Sequence, residues 1–191
     1  MKFSILNVSF GNRTWQRQAG FTLIEMLVVA AITGFITTTL VVNFSKARLD
    51  LTRAGNVVLS VVREAQTNAM SSVKYNNFNP CGYGIHYIDL THYAIYSGPN
   101  AATTTCANIN HNYQLGQDAL LPVQAFGEGR VQFMNSFSDI FFEPPDPKTY
   151  LNNDASLNQS PISITIGETG GTCPQNCKTI YVYPSGKIEL Q

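Results

Sequence analysis

Residues 21–44 contain no Lys, Arg, Asp or His, and Glu25 is the one charge among these 24 positions. At about 1.5 Å per helical residue the stretch reaches about 36 Å, enough for a hydrocarbon layer of about 30 Å. The pattern therefore predicts a transmembrane helix. A cleavable secretory signal needs an apolar run of about 7–15 residues with a small-residue exit. This run is longer, and Asn43-Phe44-Ser45-Lys46 offers no such exit. Beyond it the pattern turns amphipathic. Leu51, Ala54, Val58, Val61 or Val62, Ala65, Ala69 and Ser72 recur three and four apart, as one helix face does. No proline interrupts 21–73, although Gly34 and Gly55 are weak points. One helix of about 50 residues, about 75 Å long, follows. That is too long for one small domain, so a protruding apolar half (21–44) and a half packed on a head (45–73) are expected.

From residue 74 the period shortens to that of strands. Two aromatic-rich runs, 82–88 and 91–96, flank Asp89-Leu90 and predict a tight hairpin. Further strands are expected at 130–134, 139–143, 162–166, 179–183 and 187–190, the last two joined at Pro184-Ser185-Gly186. Residues 97–116 and 144–161 read as loops, and no helical period of useful length follows residue 73. The expected class is α+β: a long N-terminal, partly transmembrane helix packed on an antiparallel β-sheet head spanning 74–191, in one or two small sheets.

Charge sharpens this division. Twelve cations balance twelve acids over the whole chain. Residues 1–20 hold three of the cations, Lys2, Arg13 and Arg17, and no acid, so the remainder has a net charge of −3. Residues 66–191 carry five cations against nine acids, a net charge of −4. Phosphate binding is chiefly electrostatic, so this head is a poor fit to DNA. Lys178 and Lys187, near the final hairpin, are its candidate DNA contacts, with nine tyrosines in the chain as stacking surfaces. Lys46, Arg48 and Arg53 follow the apolar run and match the three leader cations, so loop charge leaves orientation undecided. The cysteines all lie after the run, which favours an oxidising space on that side.

Four cysteines allow three pairings. The local one, Cys81–Cys106 with Cys173–Cys177, closes one loop in the β-region and one tight Cys-Pro-Gln-Asn-Cys turn, and it is the expected pairing. A crossed pairing is its rival. A Cys₄ zinc site fits these spacings poorly. His86, His92 and His111 show no carboxylate pattern beside them and read as surface or loop histidines. No nucleophile elbow, zinc-protease or P-loop motif is present, so neither an enzyme nor a cofactor is expected.

Glu25 stands apart. A carboxylate at the centre of a membrane helix costs about 2.5–3.5 kcal/mol, and such residues are commonly paired and functional. At the helix edge, the helix N-terminus would stabilise it instead. The string Gly20-Phe21-Thr22-Leu23-Ile24-Glu25-Met26-Leu27-Val28-Val29 resembles the prepilin processing motif of type IV pilins and type II secretion pseudopilins. A basic leader, Gly before the cut, Phe after it and Glu as fifth mature residue all match; the leader of twenty residues is longer than is common.

The resemblance implies a fold and a life history. A prepilin peptidase would remove 1–20 by cutting between Gly20 and Phe21, then methylate the new amine of Phe21. Glu25 would neutralise the Phe21 ammonium of a neighbouring subunit in a filament of pilins or pseudopilins, built by an inner-membrane assembly platform. Before assembly the protein would sit in the bacterial inner membrane with its head outside the cytoplasm; afterwards it would be part of a periplasmic or extracellular filament. In outline the head resembles H-type minor pseudopilins and the minor pilins FimT and FimU. Thr179-Ile180-Tyr181-Val182-Tyr183-Pro184-Ser185-Gly186-Lys187-Ile188 best supports that likeness. A minor pilin is the expected role. A cargo-contacting secretion pseudopilin and a DNA-binding minor pilin for uptake are its alternatives.

Overall fold

The computed structural model describes residues 21–127, 129–145 and 148–191. The leader 1–20, including Gly20, lies outside the described residues. Two compact units divide the chain, Met1–Val42 and Asn43–Gln191. Helix α1 spans Leu23–Met70, 48 residues, and contributes to both. Its start is capped by Thr22, whose hydroxyl and carbonyl both accept the Glu25 amide, at 3.3 and 3.1 Å. Thr22-Leu23-Ile24-Glu25 is thus a capping-box sequence at the head of the apolar run.

Within the first unit, Leu23–Val42 is a 20-residue apolar helix with no part of it buried. Twenty residues give about 30 Å, the thickness of a hydrocarbon core. Its threonines carry no free hydroxyl burden: Thr33, Thr37, Thr38 and Thr39 each donate to a carbonyl three or four residues back. A side chain that satisfies itself in this way enters lipid without an orphaned donor.

In the second unit, Leu51, Val58, Val61, Val62, Ala65 and Ala69 are buried, the face read from the periodicity. Ser72 departs from it. The helix ends because Ser72 takes a left-handed φ of 46°. The Val73 amide then donates to the Asn68 carbonyl and the Ser72 amide to that of Ala69, both at 3.0 Å. These are the two bonds of a Schellman stop, usually made with glycine. Tyr75-Asn76-Asn77-Phe78 follows as a tight reversal, with both asparagines at positive φ. The Tyr83 hydroxyl donates to the Val73 carbonyl at 2.9 Å and ties the helix exit to the first strand.

Among the described residues, antiparallel strands β1 to β10 form two sheets. The first joins β1 (Tyr83–Tyr87), β2 (His92–Ser97), β3 (Ala119–Leu120), β6 (Ile140–Glu143) and β7 (Lys148–Leu151) in the order β3-β2-β1-β6-β7, with β4 (Gln124–Ala125) also on β2. The second has the order β10-β9-β8-β5, from β5 (Val131–Phe133), β8 (Ile162–Glu168), β9 (Cys177–Val182) and β10 (Ile188–Leu190). Register places Ile85 between Ile95 and Ile140, and Ile164 opposite Ile180. All but Ile95 are fully buried. Gly84 lies opposite Tyr96. A Cβ there would come within 2.4 Å of the Tyr96 ring and 2.6 Å of the Ile140 carbonyl, so only glycine lets that ring lie across the strand. The class is α+β.

Three expectations change. Residues 148–151, expected in a loop, are strand β7, paired Glu143↔Lys148 through Ile140↔Leu151. The short strands β3 and β4 lie in a stretch where none was expected, and Cys106–Asn108 forms one 3₁₀ turn.

Candidate functional site

The N-terminal end of α1 is the first candidate. Thr22 caps the helix, which places Glu25 at its third position, inside the first turn and exposed. Free backbone N–H groups at that end favour a carboxylate there. Phe21 precedes the cap and is 76% exposed. Phe21 and Glu25 thus stand four residues apart at the start of the apolar segment Leu23–Val42, no part of which is buried. That arrangement can insert into lipid, or pack against other helices of the same kind. It contains no catalytic group.

The second candidate set is the cysteines. The structure joins Cys81 to Cys106 and Cys173 to Cys177, leaving no free cysteine among the described residues. The first bridge starts in a buried position just before β1 and holds the beginning of the long connection to β3. The second closes the turn between β8 and β9.

The two lysines named as DNA contacts are not brought together. Lys178 lies near the start of β9, while Lys187 pairs with Tyr183 beyond its other end. Five strand residues separate the two registers, about 16 Å. Lys187 is also engaged: Nζ lies 2.5 Å from Glu189 and 5.3 Å from the centre of the Tyr183 ring. Lys178 packs its aliphatic stem toward Gly55.

The histidines differ from their expected setting, because carboxylates do stand beside two of them. His86 Nδ1–H donates to Asp139 Oδ1 at 2.8 Å. His92 Nδ1 lies 2.9 Å from Asp89, whose carboxylate also accepts the Thr91 and His92 amides. These bonds pull Asp89 down to about 2, the Thr91 amide contributing most. The Asp-x-Thr spacing was the readable signal for this turn. His111 is buried rather than in an exposed loop. Asn153 Oδ1 accepts its amide at 2.8 Å, so Nδ1, 2.9 Å away, must carry a proton. Nε2 is then a buried lone pair without a hydrogen bond, 4.0 Å from Glu143. Burial lowers the His111 pKa. Among the described residues no group of three His, Cys, Asp or Glu side chains is placed to hold a metal ion.

Sequence reading missed a polar cluster along residues 109–118. Tyr113 and Gln114 donate their consecutive amides to Asp139 Oδ2, at 2.8 Å, and Asp118 Oδ2, at 2.6 Å. Twenty-one positions separate the two carboxylates in the chain, so no local motif marks them.

Residues 15–41 match the family described as the prokaryotic N-terminal methylation motif, the type IV pilin and pseudopilin signature. No curated protein and no solved structure matches the chain.

Proposed function

We propose that this chain is a structural minor pilin or pseudopilin, cut between Gly20 and Phe21 by a prepilin peptidase, N-methylated on Phe21 and incorporated into a type IV pilus-like filament. One observation carries the reading: the methylation motif sits at the head of a fully uncovered 20-residue apolar helix. Pilin-motif proteins are structural rather than enzymatic. Before assembly the helix anchors the protein in the inner membrane, with the disulfide-bonded head outside the cytoplasm. During assembly it leaves lipid for a bundle of its own kind, other pilins delivered by the assembly platform. There the Glu25 carboxylate meets the Phe21 ammonium of a neighbour, which spares both charges an unpaired burial.

The test is processing. Glycine before the cut lets the backbone lie extended in a protease site without a side-chain clash. Expressed with a prepilin peptidase, the wild-type chain should lose residues 1–20 and gain one methyl group by intact mass, whereas Gly20→Leu should stay at precursor mass. Full maturation of Gly20→Leu would reject the cleavage reading.

A further inference from the structure

We propose that the Cys173–Cys177 bridge is a thiol–disulfide exchange site: a dithiol oxidoreductase reduces it through Cys173 and frees the β8–β9 turn, while Cys81–Cys106 stays oxidised.

The two bridges constrain different things. Cys81–Cys106 joins the segment before β1 to the 3₁₀ turn, 25 positions on, and Cys81 is buried. Cys173 and Cys177 both follow β8, the second as the first residue of β9. Their bridge therefore ties the connection to itself and crosslinks no two strands. Backbone bonds already close this turn: the Glu168 amide donates to the Asn176 carbonyl at 3.2 Å, and the Gly171 amide to that of Glu168 at 2.8 Å. The pair Gly167↔Cys177 ends the register of β8 on β9, which begins at Ile162↔Val182. Opening the bridge leaves that ladder in place and releases residues 169–176, of which all but Gly171 are exposed.

Geometry also decides which sulfur is attacked. Cys173 is exposed, whereas Cys177 is half-buried. A Cβ on Gly167 would meet Met134 Sδ at 2.6 Å and Cys177 Sγ at 2.9 Å, so the Cys177 sulfur lies against the β8 backbone with the thioether beside it. A nucleophile therefore reaches the bridge from the Cys173 side, and Cys177 leaves at the half-solvated edge of the sheet. At the other bridge the half-buried Cys106 is the sulfur within reach, and attack there would expel Cys81 as a thiolate into the interior. Apolar burial raises a thiol's pKa, and a leaving thiol of high pKa departs slowly.

The exchange balances with the dithiol as sole reductant. One of its thiolates attacks Cys173 Sγ. The Cys173–Cys177 bond breaks as the mixed disulfide forms, and Cys177 leaves as a thiolate and takes a proton from water. The second thiolate of the partner then attacks the partner's own sulfur in the mixed disulfide and releases Cys173, which is protonated in turn. The partner ends as a disulfide, having supplied two electrons, and the chain ends with two thiols. This chemistry needs neither processing nor assembly, so it goes beyond the filament reading and is tested apart from it.

The experiment uses the full wild-type chain in detergent micelles at about pH 8, near the pKa of a thiol, with dithiothreitol as the dithiol. Samples are quenched by alkylation and mapped by mass. Alkylated Cys173 and Cys177 should appear at a rate proportional to dithiol concentration, at least about tenfold faster than Cys81 and Cys106. With glutathione, a monothiol, the trapped adduct should sit on Cys173, with Cys177 alkylated. Hydrogen exchange over 169–176 should rise on selective reduction, while β8 and β9 keep their protection. Equal rates, earlier reduction of Cys81–Cys106, an adduct chiefly on Cys177, or unchanged exchange over 169–176 overturns the proposal.

Discussion

Gln66 donates its side-chain amide to the main-chain carbonyl of Gly186 at 2.9 Å, 120 residues away, and so fastens α1 to the turn of the last hairpin. Gly186 sits at φ +79°, a conformation L side chains rarely adopt, which aims that carbonyl at the helix. The bond is partly buried. Gln66→Ala should cost about 1 kcal/mol, the usual net value of such a bond. For a chain of this size that lowers the melting temperature by about 2–4 °C. A calorimetric scan of the two proteins checks it, and equal midpoints would show the contact to be idle.

The bridges should differ in value. Loop-closure entropy grows with the residues enclosed, so the Cys81–Cys106 link, with a separation of 25, is worth about 3.5 kcal/mol, and the Cys173–Cys177 link, with a separation of 4, about 2 kcal/mol. Cys81 is also buried, so a serine there leaves a hydroxyl in the core. Urea titrations of Cys81→Ser/Cys106→Ser and Cys173→Ser/Cys177→Ser should rank the first pair as the greater loss. The opposite order would place the structural weight on the β8–β9 turn.

The helix and most strands were legible because their periods are strong. Six buried α1 residues lie on the face predicted from spacings of three and four. What escaped was encoded in single residues or at long range. Ser72 stops α1 in a left-handed turn where glycine would have announced it. Two Asn-Asn pairs, 76–77 and 152–153, both take positive φ and make tight reversals, yet neither carries the Asn-Gly signature. Strand β7 hides behind the prolines Pro144 and Pro145, which read as the start of a long loop although the chain pairs again from Lys148. Asp139 meets the Tyr113 amide, next to the Gln114 amide that Asp118 accepts, only once the chain between them has folded. At the N-terminus the reverse holds: Gly20, Phe21 and Glu25 are local, and the motif that contains them is readable without a fold.

Acid should act on the β1–β2 hairpin through Asp89. Its carboxylate accepts the Thr91 and His92 amides at 2.7 and 2.9 Å, and these bonds hold it at about 2. A carboxylate with a lowered folded-state value lends stability above its ordinary range of about 4, and that share is lost as pH falls from 4 through 2. Asp89→Ala should therefore melt below wild type at pH 7, and the two should converge near pH 2. A gap that stays constant down to pH 2 would mean that the substitution acts through packing or backbone freedom rather than through the carboxylate.

Glu25 tests the assembly step separately from insertion. Its carboxylate lies exposed in the first turn of α1, whose N-terminus Thr22 caps by accepting the Glu25 backbone amide. Glu25→Val removes a charge from an apolar helix, so membrane insertion should be as good or better, with processing intact. In the proposed filament the same change leaves the Phe21 ammonium of a neighbour buried without a partner. Breaking a buried pair from one side costs about 3–5 kcal/mol, more than a hundredfold in equilibrium. The variant should accumulate in the membrane fraction and be depleted from sheared filaments, as read by immunoblot of both fractions. Incorporation equal to wild type would remove Glu25 from the mechanism and leave apolar helix packing as the whole driving force.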